Sequence, residues 1–115
     1  MADQLPLNKF RLLSYTLNSG SNLIYQETID VSTIILSCQI TNTTTGSIQS
    51  ASLQVQKSGS VEFVTLLNNG YIPPYESLNP LSGKLVLERN DAFYISTNET
   101  GKLDVVLSVL ENANN

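Results

Sequence analysis

Between Asn8 and Leu110 apolar residues recur at nearly every second position, the period of a strand whose side chains alternate between two faces. The densest run is the last, where Leu103, Val105, Leu107 and Val109 share one face. It predicts a core-facing strand against which the earlier chain packs. Two shorter runs, Leu85-Val86-Leu87 and Phe93-Tyr94-Ile95, precede it, with Arg89-Asn90-Asp91 and Asn98-Glu99-Thr100-Gly101 between the runs. Such residues enter turns at low cost, so the chain is expected to double back twice as an antiparallel meander.

Upstream, Val31 to Thr41 places Ile34, Leu36, Cys38 and Ile40 on one face and Thr33, Ser37, Gln39 and Thr41 on the other, with Ile35 the exception. The next run sets Ala51, Leu53 and Val55 against Ser50, Ser52, Gln54 and Gln56. Two successive half-buried strands predict one antiparallel sheet with a wet face. From Asn8 to Asn18 the apolar parity changes: Phe10 and Leu12 fall on one side, Leu13, Tyr15 and Leu17 on the other. That change predicts a bulge or a strand crossing between sheets. Leu23 to Gln26 reads as a short strand, and Val61 to Asn68, apolar on both faces, as a central strand or an interface. Pro73 and Pro74 donate no ladder hydrogen bond, which predicts an extended, irregular link to the C-terminal runs. A polar tail starts at Glu111.

The sum is an all-β fold: a single β-sandwich domain over residues 1–115, of about eight antiparallel strands, with residues 1–7 and 112–115 as flexible ends. Trp is absent and Cys38 is the sole cysteine, so the antibody-domain signature is missing and a jelly-roll order is favoured.

Charge narrows the partners. Only 14% of the 115 residues are charged, below the usual quarter, and the net charge is −4. Ser, Thr and Asn fill the surface instead, and without clustered cations nucleic acid is not an expected partner. No apolar stretch approaches the roughly 20 residues that span a bilayer, and no basic segment with an apolar run opens the chain. A protein made in a cytoplasm, with no membrane partner, is expected.

Histidine is absent, which removes the commonest general base and transition-metal ligand together. Cys38 sits inside an apolar run and reads as a small buried hydrophobe. Neither a catalytic set nor a cofactor or metal site is expected. Glu88, Asn90 and Asp91, with Asn98 and Glu99, could offer oxygens to calcium, but without a dense acidic loop they read as turns with solvated carboxylates. Asn42-Thr43-Thr44 and Asn98-Glu99-Thr100 match the glycosylation acceptor pattern and read as ordinary loops.

The surface feature that stands out is Tyr71-Ile72-Pro73-Pro74-Tyr75. Tyrosines beside rigid prolines supply contact area at low entropic cost, so all five residues are candidates for a protein contact. The segment from Tyr71 through Ser82-Gly83-Lys84-Leu85-Val86-Leu87-Glu88, then Asn90-Asp91, then Leu103-Asp104-Val105-Val106-Leu107-Ser108-Val109-Leu110-Glu111, resembles small virion structural proteins of tailed bacteriophages. Val31 to Asn42 is similar to the first half of the same proteins. The resemblance implies a non-enzymatic β-sandwich piece of a phage particle, made in the bacterial host and located in the virion. Within it, a capsid decoration or cement protein bridging capsid subunits, and forming a homo-oligomer, is the leading expectation. A neck, tail or fibre-attachment adaptor is the first alternative, and a carbohydrate-binding module of a phage fibre the second.

Overall fold

In a computed structural model, which describes residues 8–26, 32–81 and 83–112, the strand that carries Leu103, Val105, Leu107 and Val109 lies inside a sheet with all four side chains buried. The strands are β1 (Asn8–Thr16), β2 (Gly20–Gln26), β3 (Ser32–Asn42), β4 (Gln49–Gln56), β5 (Phe63–Ile72), β6 (Ser77–Leu78), β7 (Leu85–Leu87), β8 (Ala92–Thr97) and β9 (Leu103–Asn112). One sheet runs β1-β9-β3-β6, with β7 also on β3; the other runs β2-β8-β4-β5. β6 pairs with Ile40 and Thr41, and β7 with Thr33 to Ile35, so the two lie end to end as one interrupted strand. With that strand counted once, eight antiparallel lines form two four-stranded sheets in jelly-roll order.

The core fills the space between the sheets, with Leu17, Ile35, Ile40, Leu53, Ile72, Leu87, Phe93 and Ile95 packed against the β9 face. This geometry corrects the meander. β7 and β9 belong to the first sheet and β8 to the second, and β3 and β4 likewise lie in opposite sheets. Among the described strands only β4 and β5 are both consecutive and paired. A period of two marks the inward face, but inward means the same core for both sheets, so the pattern does not say which sheet a strand joins.

Bulges fall elsewhere than expected. β1 pairs with β9 through nine successive partners without a shift. Phe10 and Leu12 are apolar residues on its outer face, each 72% exposed. β3 bulges at Leu36 instead, so Thr33 and Ile35 point inward before it and Cys38, Ile40 and Asn42 after it. The expected face of Ile34 and Leu36 with Cys38 and Ile40 is therefore split. A second shift at Ile24 lets Ile24 and Tyr25 be buried side by side. β5 is an edge strand with Phe63, Val64 and Leu66 exposed, which excludes the central position. Glu111 begins no tail: it is buried within β9, and Asn112 keeps register with Asn8 and Ser32. Of the flexible ends expected over 1–7 and 112–115, Asn112 is instead paired within β9, and residues 1–7 and 113–115 lie outside the described residues.

Candidate docking surfaces

One pole of the sandwich gathers the turns after β1, β3, β5 and β8. Leu17 N–H donates to Leu103 O, Gly101 N–H to Leu17 O, Thr43 N–H to Lys102 O and Asn42 N–H to Glu76 O, all at 2.9 to 3.0 Å. Here stands the predicted tyrosine segment. Strand alternation turns Tyr71 outward, 73% exposed, and Ile72 inward, 1% exposed. Ile72 thus belongs to the core and leaves the set of contact residues. Pro73 to Glu76 forms a tight turn, not an extended link, with Glu76 N–H donating to Pro73 O at 3.2 Å. The ring of Pro74 pre-sets the turn's first corner, and Tyr75 occupies the second at φ +65°, a left-handed backbone that suits Gly or Asn. Its side chain is 75% exposed.

Asn42 holds this pole together. Its buried amide donates to Ser47 O at 2.9 Å and Ile72 O at 2.7 Å, while its Oδ1 accepts from Thr44 N–H and Oγ1 at 2.9 and 2.7 Å. Both amide protons are thereby committed, so this acceptor motif is a structural staple. Beside the tyrosines the staple also positions Ile48, an exposed residue one step beyond the Gln49–Ile72 pair. Ile48 went unrecognised because a lone apolar residue at the end of a polar loop carries no periodic signal.

A second surface covers the outside of the first sheet. Register sets Phe10 beside Leu110, Leu110 beside Ile34 and Ile34 beside Val86, an apolar row across four strands. Leu12, Leu36 and Val106 extend it. The polar residues beside them on this face of β1, β3 and β9 are neutral except Asp104, which accepts from Thr16 Oγ1 at 2.8 Å, while Lys84 and Glu88 flank Val86 at the rim. Depletion of charge around apolar side chains marks the core of protein interfaces. The sequence did hold its trace, in the outward parity of Phe10 and Leu12.

Charges cluster at the opposite pole. Asp91 is buried, accepting from Lys57 Nζ at 2.7 Å, Ser58 N–H at 2.9 Å and Glu88 N–H at 2.9 Å; Lys57 also reaches Glu88 Oε1 at 3.1 Å. It is a turn lock, not the solvated carboxylate expected. Burial pushes its pKa up, but the Lys57 ammonium and the two amides outweigh that and hold it below the usual carboxylate value. Asp91, and then Glu88, raise the pKa of Lys57 in return. At the same pole the Tyr25 hydroxyl donates to Glu111 Oε2 and lies 3.1 Å from Thr33 Oγ1, and Arg11 Nη1 reaches Glu111 at 3.2 Å. Cys38 is buried between the sheets, which pushes its thiol up to about 12 and leaves no thiolate at neutral pH.

Comparison with protein-family models and with curated proteins gives no match. Among solved structures the chain is similar to a protein of Bacillus endospore appendages, described as a family of disulfide-linked pili. That likeness has a TM-score of 0.55 at 12% identity, over 97% of this chain and 93% of the other. A pentameric capsid protein from metagenomic phage sequences gives a TM-score of 0.43 at 12% identity, over 88% of this chain and 59% of that one. The endospore likeness is one of fold.

Proposed function

We propose that this chain is a non-enzymatic structural subunit of a tailed-phage particle, acting as a capsid decoration or cement protein that bridges neighbouring shell subunits. The observation that carries the reading is Tyr75. A left-handed backbone costs an aromatic residue of order 1 kcal/mol or more, and its exposed side chain recovers none of this inside the fold. Contact with another molecule supplies the reason to keep it. Tyr71, Pro73 and Ile48 are exposed at the same pole, and the Asn42 staple ties the neighbouring backbone at Ser47 and Ile72, so little order has to be imposed on docking. The likeness of the C-terminal half to phage virion proteins supports the same reading. Such contacts are non-covalent here: the disulfide linkage of the endospore pili has no counterpart in a buried, unionised Cys38.

Particles assembled with Tyr71→Ala plus Tyr75→Ala test the proposal. Reduced occupancy and earlier heat disruption of the particle are expected, with the isolated domain still folded. Full occupancy removes this pole from the interface. Copy number then separates the roles: hundreds per particle fit decoration, and about a dozen fit a neck or tail adaptor. A glycan-binding role is favoured by a different observation, the outer face of the second sheet. There Phe63 and Tyr94 stack edge to face at 5.2 Å, with Gln54 and Gln56 on the adjoining strand. Shifts of the Tyr94 ring signals on adding host surface polysaccharide would favour that reading over cementing.

A further inference from the structure

Sheet edges expose unpaired N–H and C=O groups, and folded proteins blunt them with bulges, interruptions, prolines or charge. Three of the four edges here are blunted. β2 carries the shift at Ile24; β5 carries two register shifts and the left-handed Asn69 at φ 53°; and the β6/β7 edge is broken into pieces of two and three residues. β1 differs. Its nine residues keep unbroken register with β9 and contain neither proline nor bulge. Its cations, Lys9 and Arg11, stand in the first half, and Arg11 is engaged by Glu111 at 3.2 Å. From Leu12 to Thr16 the edge is uncharged and rich in strand-forming residues.

We infer that β1 is a homotypic docking edge, at which two copies of this chain pair antiparallel about a two-fold axis near Leu13. The charge pattern selects a second copy in this orientation. Antiparallel pairing centred on Leu13 sets Arg11 of each copy opposite Tyr15 of the other and Lys9 beyond the end of the facing strand, so no two cations meet. The same register brings each exposed Phe10 opposite Thr16 of its mate. There Ser14, Tyr15, Thr16, Asp104, Val105 and Val106 line a shallow depression. Two-fold symmetry makes this knob and hole reciprocal, as an isologous contact requires. The two outer faces then join into one continuous sheet with a shared apolar surface.

Area sets the strength. A nine-residue edge is about 30 Å long and a sandwich edge about 15 Å deep, giving roughly 450 Å² per copy and about 900 Å² in total, which places the contact in the weak, transient class. For a contact of that class the expected dissociation constant is on the order of micromolar or weaker. This inference is independent of the particle role.

Sedimentation velocity of the full chain from about 1 to about 200 µM brackets that constant. A monomer at the bottom of the range and a dimer at the top are expected. Phe10→Ser should weaken the dimer at least about tenfold, the size of a modest interface anchor, and Leu12→Lys should abolish it. Both side chains are exposed, so the circular dichroism and thermal midpoint should stay unchanged. Hydrogen exchange on the unaltered chain gives a readout free of substitutions: amides of residues 8–16, and not those of β5, should gain protection as concentration rises. A monomer throughout, a dimer that both substitutions leave intact, or protection at another edge would overturn the inference.

Discussion

Asp91 and Tyr75 are the two residues whose local chemistry has the clearest measurable consequence. The folded-state pKa of Asp91 is depressed, so its contribution to stability is fully present above the unfolded value and is lost as pH falls through the folded one. Unfolding free energy should decline from about pH 4 downward, the ordinary carboxylate range, and Asp91→Asn should flatten that decline. Replacing Asp91 with Ala strips the Ser58 and Glu88 amides of their acceptor and should cost about 1 to 3 kcal/mol in urea unfolding. Tyr75→Gly runs the other way. Relieving the left-handed backbone should stabilise the isolated domain by about 1 kcal/mol, while an exposed change such as Tyr71→Ala should move it by less than about 0.5 kcal/mol. A Tyr75→Gly protein no more stable than the parent would remove the strain from which the docking argument starts.

Among the strands, β9 holds the first sheet together. It is hydrogen-bonded on both sides, and its Leu107 pairs with Leu13 on one flank and Cys38 on the other while facing the core. Leu107→Ala removes three carbons where neighbours on every side are fixed, so it should cost about 2 to 5 kcal/mol. An unchanged thermal midpoint would show that β9 is not central. The edge strand β5 behaves oppositely: Val64→Ala, at an exposed position, should cost less than about 1 kcal/mol.

For the whole molecule, the alternation of successive strands between sheets makes most contacts distant along the chain. Loop-closure entropy must then be met before those contacts form, so refolding should take milliseconds to seconds, as for other β-sandwiches, and stopped-flow fluorescence of the tyrosines would show it. Refolding within microseconds would contradict this topology. Most of the strands, though not the two-residue β6, their inward faces at β4 and β9, and the absence of helix among the described residues were legible in the chain itself, because burial of one face imposes the period of two wherever a strand meets the core. Tyr71, Pro73 and Tyr75 were legible as surface candidates because proline and tyrosine carry their conformational and contact properties locally. What the residues alone did not determine was the assignment of β7, β8 and β9 to alternate sheets, since both sheets look onto the same core. Nor did they place the bulge at Leu36, or the roles of Asn42, Asp91 and Glu111. A polar side chain becomes a staple only when donors from distant segments, such as Ser47 with Ile72 or Lys57 with Ser58, are folded around it, and that arrangement belongs to the tertiary structure.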